Sequence, residues 1–363
     1  MSEVLFASAK MKQLRPQSSL PAKFQRQLDL MELESKFKGK SVAIKMHLGS
    51  NLGYTTIPPL FVKLLVDKLK AAGASPFVTD GSGAVREAKF RGYVEEALGC
   101  PIVPAAGLNE KYFVTKPIGF LTLDEIQMCG EIVNADAMIV YSHGKGHGAC
   151  GWGGAIKNIA MGCVVGKTRG AIHAVYNTEL NWQEDLCTHC ELCSSNCPNN
   201  AISFSEDGKM SIFFHDCKYC NHCVVSCPQK AITIEGDGSE RFQGAMARTT
   251  KAVLETFAEG SVLYINQLTS ITPFCDCWGF SSPSMVPDVG ILIGTDIVGV
   301  EKASIDMIKT EDLIEGSLPE QMEVSDADVH LLQKIHGKDP YLQCVEAAKV
   351  DLGSMEYTIK EIV

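Results

Sequence analysis

Eight cysteines between positions 187 and 227 form two copies of one motif, and this repeat is the strongest constraint on the fold. Each copy reads Cys-x-x-Cys-x-x-Cys-x-x-x-Cys-Pro, the first beginning at Cys187 and the second at Cys217. The similarity continues past the cysteines, since Asn-Asn-Ala-Ile-Ser-Phe at 199–204 matches Gln-Lys-Ala-Ile-Thr-Ile at 229–234. A repeat that extends beyond its cysteines predicts two copies of one small structural unit.

The spacing within each copy is that of bacterial proteins that bind 4Fe–4S clusters, in which the fourth cysteine of a run ligates the other cluster. Two-residue gaps let three thiolates converge on one face of a cluster, and the proline turns the chain away towards the second cluster. A zinc site uses four ligands in two pairs, which this double repeat does not match. Two 4Fe–4S clusters are therefore predicted, one bound by Cys187, Cys190, Cys193 and Cys227 and the other by Cys217, Cys220, Cys223 and Cys197.

The rest of the composition predicts a cytoplasmic protein without a membrane span. The 15 cysteines are an odd number, the first residues lack a basic stretch followed by a long apolar one, and no apolar run approaches the length of a transmembrane helix. Reduced thiols therefore fit better than a disulfide framework. A formal net charge of −10 disfavours nucleic acid as a partner and favours a redox partner protein with a basic docking patch. The oligomeric state stays open, and a homodimer is compatible with the sequence.

Outside the cysteine-rich stretch, short strands alternate with helices. This alternation predicts an α/β fold with a largely parallel sheet and flanking helices. Residues 36–40 are predicted to form a surface loop. Strands are predicted at 41–46, 77–79, 137–141, 262–265 and 289–293, and helices from about Pro58 to Gly73 and at 90–98, 123–133, 155–161, 249–258 and 300–308.

The order of these segments indicates that the α/β domain is split by an inserted α+β ferredoxin domain. The first part of the α/β domain is assigned to residues 1–180, the two-cluster domain to 181–240, and the second part of the α/β domain to 241–363. Three consecutive domains are the alternative. Neither flank of the cysteine-rich stretch contains a Pro/Gly/Ser-rich linker, which favours the insertion.

Polar loops follow three of the predicted strands and begin at His47, Asp80 and His143. Ligands bind in such sheets beyond the C-terminal ends of strands, so these loops are candidate parts of a site. His143 and His147 lie in a glycine-rich loop and are either metal ligands or exposed residues of a flexible loop. The run from Gly146 to Gly151 fits the dinucleotide pattern G-x-G-x-x-G, but no acidic residue follows at the required distance.

Two other short segments carry reactive side chains. Lys157 and Asn158 begin the predicted helix after the glycine-rich loop, where a lysine and backbone amides can hold an anion. Cys275 and Cys277 flank one aspartate and are too close in sequence for an ordinary disulfide with each other. They are either a metal or redox site that points into a cavity, or two unreactive loop thiols.

Several of these segments together resemble one protein family. The glycine-rich loop that continues through 153–162, the Cys-Asp-Cys loop at 275–277 and the segment 286–292 look like the iron–sulfur family catalogued as domain of unknown function 362. The resemblance covers most of residues 40–310, and the cysteine-rich segment itself resembles the bacterial two-cluster ferredoxins at all eight ligand positions. In many members of the family such a ferredoxin module accompanies the α/β domain.

The resemblance implies that Cys275, Cys277 and His147 share a site. The segment 296–306 departs from the family pattern, which has a proline after Asp296 and an aspartate in place of Glu301. Carboxylates nevertheless remain at 296, 301 and 306, which keeps a carboxylate site there in consideration.

Three functions are consistent with these features. The favoured one is an iron–sulfur oxidoreductase, in which the two clusters relay electrons to a metal, cluster or dithiol site at Cys275 and Cys277, surrounded by His47, His143 and His147. The second is a non-catalytic electron carrier or adaptor, and the third is a metal or cluster assembly factor. A carrier does not need histidine and cysteine loops at strand ends, so the enzyme is preferred. The substrate cannot be inferred from the sequence.

Overall fold

The computed structural model describes residues 2–176, 180–197, 199–214, 216–217, 222–235, 238–320, 322 and 324–363. The strands are β1 (Ser2–Ser8), β2 (Ser41–Met46), β3 (Ser75–Asp80), β4 (Ile102–Pro104), β5 (Phe113–Phe120), β6 (Leu123–Cys129), β7 (Ala137–His143), β8 (Lys145–His147), β9 (Gly151–Gly153), β10 (Leu180–Trp182), β11 (Ile202–Phe204), β12 (Met210–Ile212), β13 (Ile232–Ile234), β14 (Val262–Leu268), β15 (Gly290–Gly294) and β16 (Tyr357–Glu361).

The helices are α1 (Leu20–Leu30), α2 (Leu33–Phe37), α3 (Pro59–Ala71), α4 (Ser82–Ala88), α5 (Glu95–Leu98), α6 (Gly130–Val133), α7 (Ala155–Gly162), α8 (Gly166–Ala174), α9 (Leu192–Ser195), α10 (His222–Ser226), α11 (Ser239–Leu254), α12 (Ile297–Asp306), α13 (Leu331–His336) and α14 (Leu342–Lys349). None of the helices in the described ranges is both long and apolar enough to cross a membrane.

A mixed sheet forms the centre of the molecule. In the described part of the chain it has eight strands in the order β16-β1-β15-β14-β7-β2-β3-β4. Only β15 pairs antiparallel with its neighbours among these strands, and the other adjacent pairs are parallel. The predicted α/β architecture with a largely parallel sheet and flanking helices is therefore confirmed.

Alternate residues of the central strands face opposite layers of helices. In β2, Val42 and Ile44 pack in one hydrophobic core with α1 and α3, whereas Ala43 packs in a second core with α7, α11 and α12. Helix α3 covers the sheet because its apolar residues recur at helical spacing on one side. The buried residues of that side are Phe61, Val62, Leu65, Val66 and Leu69.

The predicted helix at 123–133 is wrong. Residues Leu123–Cys129 form strand β6, which pairs antiparallel with β5, and only Gly130–Val133 is helical. Leu123, Ile126 and Met128 are buried, a spacing that local periodicity does not separate from a helix. The pairing with β5 decides the conformation, and it is a non-local contact.

The first 40 residues contain more regular structure than the sequence suggested. Strand β1 joins the main sheet between β15 and β16, and α1 packs against it. Residues 36–40 were predicted as a loop, but α2 extends to Phe37, whose side chain is fully buried.

The cysteine-rich segment folds into two small sheets, β10 with β13 and β11 with β12, together with α9 and α10. Cys193 and Cys223, which occupy equivalent positions in the two copies, lie in one small core with Ile202 and Ile232, which are also equivalent. Strands β7 and β14, which precede and follow the segment in the chain, are adjacent in the main sheet.

Candidate functional site

A cavity of about 320 Å³ opens at the edge of the main sheet where the parallel strands β2, β3 and β7 end. The carboxyl ends of neighbouring parallel strands meet at one edge, so the loops that follow them converge. Eight residues that the sequence marked as candidates line this cavity: His47, Asp80, His143, His147, Lys157, Asn158, Cys275 and Cys277.

Three of these residues form a compact group of candidate metal ligands. One ligand atom from each of His47, Cys275 and Cys277 lies within 4.8 Å of the others. Cys275 is buried and Cys277 is exposed. The Nδ1 atom of His47 is 3.4 Å from Oδ2 of Asp80, while its buried Nε2 atom has no partner in hydrogen-bonding geometry among the described residues. A carboxylate on one ring nitrogen leaves the other nitrogen available to a metal.

The two thiols differ in their protonation. A hydrogen bond from Cys277, with the nearby Lys157 and Lys145 ammonium groups, holds the pKa of Cys275 well below the usual value of a thiol. The Lys157 Nζ atom lies 3.7 Å from the Cys275 sulfur, and the Cys277 amide donates to the same sulfur at 3.5 Å. Because Cys277 donates this thiol hydrogen bond, its own pKa is raised. These contacts favour the thiolate form of Cys275, the form that binds metals and attacks electrophiles.

A buried ion pair lies beneath His47. The Lys45 ammonium group is 3.0 Å from Asp80 Oδ1 and donates to Asn158 Oδ1 at 2.7 Å. Asp80 also accepts from the Leu48 amide at 2.9 Å. Burial opposes ionisation of Asp80, but Lys45 and His47 outweigh it and lower the pKa of this carboxyl group. A charged Asp80 in turn raises the pKa of His47, against the effect of burial, together with the Cys275 sulfur.

His143 is held away from the ligand group. Its Nδ1 atom lies 2.9 Å from Oδ2 of Asp276, and its Nε2 atom lies 2.9 Å from the Thr269 carbonyl oxygen. Lys145 Nζ is also 2.9 Å from Asp276 Oδ2. Both nitrogens of His143 face oxygen acceptors, so neither is available to a metal. His143 and Lys145 instead position the aspartate that separates Cys275 from Cys277.

His147 lies beside the ligand group and contacts it through Cys275. Its Nδ1 atom accepts from the Ala149 amide at 3.1 Å and is 3.4 Å from the Cys150 sulfur. The side chain also hydrogen-bonds Cys275, which contributes to the low pKa of that thiol. Cys150 remains protonated, since burial raises its pKa to about 12.

The carboxylates at 296, 301 and 306 do not line this cavity, and each has a structural contact elsewhere. Glu301 accepts hydrogen bonds from the Trp152 indole at 2.9 Å and from the Ala155 amide at 2.5 Å. Because α7 begins at Ala155, the second hydrogen bond caps the N-terminus of that helix. Asp296 caps α12, and Asp306 accepts from two tyrosine hydroxyls. A side chain at Gly154 has no room, because a Cβ atom would lie 2.2 Å from the Glu301 carboxylate.

Several charged residues of the cavity wall were not identified from the sequence. Lys45 and Lys145 are buried in this wall, and Arg169, which also lines the cavity, pairs with Glu110 at 2.8 Å. One feature of the sequence could have identified the Lys45 ion pair. Lys45 lies inside the apolar run Val-Ala-Ile-Lys-Met, and a lysine buried in a strand requires a charged partner.

Four cysteines of the repeat line a separate small cavity: Cys187, Cys190, Cys193 and Cys227. Amide groups point at the fourth cysteine of each copy in the same way, from Ala201 to Cys197 at 3.2 Å and from Ala231 to Cys227 at 3.3 Å. Of the remaining predicted ligands, Cys223 is buried and Cys217 packs against the core of the α/β fold. Cys220 lies outside the described residues.

Aromatic contacts connect the cysteine-rich segment to the Cys-Asp-Cys loop. The Phe213 and Trp278 rings are 6.0 Å apart between centroids and nearly perpendicular. Trp278 directly follows Cys277, and the Cys217 amide donates to the Phe213 carbonyl at 3.1 Å. Lys338 adds a buried link, since it donates to the carbonyl oxygens of Phe214 and of the glycine-rich loop.

A family model described as Domain of unknown function (DUF362) matches residues 42–306. No curated protein matches the sequence. Among solved structures, the lactate racemase apoprotein from Thermoanaerobacterium thermosaccharolyticum is similar at 13% sequence identity and a TM-score of 0.35. The match covers 74% of this chain and 51% of the other, so the chain spans about half the length of that protein. A likeness this distant does not bear on function.

Replacing Lys45 by methionine tests the buried ion pair. The change leaves the Asp80 carboxylate buried without its main partner, and we expect the free energy of unfolding to fall by about 3–5 kcal/mol. Lys68→Met is the control, because Lys68 pairs with Asp29 at the surface and an exposed pair contributes about 0–1 kcal/mol. Urea unfolding measures both. Similar losses in the two variants would show that the buried pair contributes no more to the free energy of unfolding than an exposed pair does.

Proposed function

The chain belongs to the domain of unknown function family DUF362, and we propose that it is an iron–sulfur oxidoreductase whose reaction takes place at a metal ion in the α/β cavity. One observation carries the proposal: ligand atoms of His47, Cys275 and Cys277 lie within 4.8 Å of one another beside a cavity large enough for a small molecule. Thiolate and imidazole ligands suit iron or zinc, and iron is the one that exchanges single electrons.

The ligand group fits a catalytic rather than a structural metal. Structural sites are closed by four protein ligands, whereas catalytic sites keep a position open for substrate. Two thiolates and one imidazole would hold the metal and leave one position for a substrate. The buried Nε2 atom of His47 has no other partner among the described residues, and Asp80 holds the opposite side of the ring.

The cysteine-rich segment fits two 4Fe–4S clusters with the predicted ligand sets. One set lines a single cavity that includes Cys227 from the second copy, as a crossed arrangement requires. Amides directed at Cys197 and Cys227 give each sulfur an N–H donor, as the sulfurs of iron–sulfur clusters receive. When bound, each cluster accepts and releases one electron.

The proposed division of the chain is 1–180, 181–240 and 241–363, with the two-cluster domain inserted into the α/β domain. The adjacency of β7 and β14 in the main sheet supports insertion over three consecutive domains. The contact between Phe213 and Trp278 places the Cys217 end of the segment next to the Cys-Asp-Cys loop. Electrons from a redox partner protein can therefore reach the cavity through packed side chains.

A metal-free dithiol is the second candidate for the cavity site. It is favoured by the opposite pKa shifts of Cys275 and Cys277, which pair a thiolate with a proton donor. Such a pair would exchange two electrons and two protons through a disulfide that is strained and readily reduced, because only one residue separates the two cysteines. If the protein were a carrier or adaptor without chemistry of its own, the shifted pKa values of Cys275 and Cys277 and the lysines beside them would have no function.

The metal content of the anaerobically purified protein tests the proposal. Two 4Fe–4S clusters account for about eight iron and eight sulfide per chain. We expect one further metal ion per chain, and we expect Cys275→Ser/Cys277→Ser to lose that ion while it keeps the clusters. Elemental analysis, sulfide determination and EPR of the reduced protein provide the counts.

Cys100→Ser is the matched control, because Cys100 is a buried thiol outside the cavity, and its metal content should not change. A wild-type count of eight iron with no further ion, unchanged in the double variant, would remove the metal site and leave the dithiol.

Paired cysteine variants test the crossed ligand sets. Cys190→Ala/Cys227→Ala removes two ligands of the same predicted cluster, so about four iron should remain. Cys190→Ala/Cys217→Ala removes one ligand from each cluster and should lose most of both. Iron and sulfide are measured as above. If the first pair lost more iron than the second, the crossed assignment would be wrong.

Cobalt in the cavity site tests which cluster lies next to it. A paramagnetic ion speeds the spin relaxation of a nearby reduced cluster, and zinc in the same site is the diamagnetic control. We expect a strong cobalt effect in Cys190→Ala/Cys227→Ala, which retains the cluster near Phe213, and a weaker one in Cys197→Ala/Cys217→Ala. Power-saturation EPR measures this. An equal effect in both variants would contradict the arrangement.

A further inference from the structure

Lys157 differs from the other cations of the cavity in what balances its charge. Among the residues that the structure describes, Lys45 pairs with Asp80 and Lys145 pairs with Asp276. Arg169 likewise pairs with a carboxylate, that of Glu110. The contact that balances Lys157 is with the Cys275 sulfur, at 3.7 Å.

We propose that the cavity binds the carboxylate group of a small organic acid, with Lys157 as its counter-ion. This inference rests on the proposed function. When a metal dication binds, Cys277 would release its proton and the charges of both thiolates would be balanced by the metal, so the Lys157 ammonium group would be left without a counter-charge. A carboxylate that enters beside the open metal position restores the balance.

The size of the cavity limits the acid to a small metabolite. Ligand cavities range from about 300 to 1,000 Å³, and this one, at about 320 Å³, lies at the lower end. Ala84 and Met161 form part of the wall together with several glycines, so a short carbon chain has apolar surface to contact.

The location of Lys157 also favours an anion. It lies in the first turn of α7, where the aligned peptide dipoles place positive potential. His173, which also lines the cavity, contributes no competing charge. Burial, together with the positive charge of Lys157, lowers the pKa of His173 to about 4, so the ring is neutral at pH 7.

Acetate and acetamide, which have nearly the same shape, are the probes. Cobalt is placed in the cavity site of the full-length protein, and its visible spectrum is titrated with each probe and with inorganic phosphate at constant ionic strength. We expect acetate to bind, acetamide not to bind, and phosphate to bind more weakly than acetate. Equal binding of acetate and acetamide would overturn the proposal, and tighter binding of phosphate would overturn the assignment to a carboxylate.

Variants of Lys157 identify the counter-ion. Lys157→Gln should weaken acetate at least about tenfold, the effect of losing a charged hydrogen bond, and Lys157→Arg should retain it. Lys167→Gln is the matched control, because Lys167 is exposed on α8 and does not line the cavity. Unchanged acetate affinity in Lys157→Gln would overturn the inference.

A metal-free measurement separates failure of this inference from failure of the proposed function. Cys275→Ala removes the sulfur that balances Lys157, so acetate should raise the melting temperature of this variant more than that of the metal-free wild type. The same rise in Cys275→Ala/Lys157→Gln would overturn the inference. Cobalt that binds stoichiometrically without any acetate effect would overturn the inference and leave the metal site in place. Absence of cobalt binding would overturn the proposed function, while the melting temperatures still test the anion site.

Discussion

The candidate site depends on one buried carboxylate, Asp80 at the end of β3. Its negative charge balances Lys45 from the neighbouring strand and fixes one face of the His47 ring. An ionised carboxylate in the interior is stable only when it is paired and hydrogen-bonded, and Lys45 together with the Leu48 amide provides this. Because Asp80 faces Nδ1 of His47, the Nε2 atom is the nitrogen left for a metal.

A second buried carboxylate holds the two cysteines in place, as Asp80 holds the His47 ring. Asp276 separates Cys275 from Cys277 and is held by Lys145 and His143 from the end of β7 and the hairpin that follows it. The first ion pair thus joins the neighbouring strands β2 and β3, and the second joins the Cys-Asp-Cys loop to β8. The cavity is built on the sheet itself, which is how a site keeps its ligands in place when no metal is bound.

Much of the α/β fold could be predicted from local pattern, and the site only in part. The strand at 41–46 has the bounds that its apolar run predicts, whereas β6 was taken for a helix because its partner β5 is not visible in local periodicity. The candidate histidines all follow strands or lie in the loop after one, so sequence spacing did not distinguish them. The difference comes from hydrogen bonds: both nitrogens of His143 face oxygen atoms, whereas one nitrogen of His47 does not.

The order of strands in the main sheet has a consequence for biosynthesis. Strand β1 is made first, yet its partners β15 and β16 are made last, so the sheet cannot close until nearly the whole chain has emerged from the ribosome. The described strands of the cysteine-rich segment pair only with one another, so their partners are all present well before β14 is made. Its cysteines are therefore synthesised and accessible before β14 pairs with β7 and before Trp278 packs against Phe213.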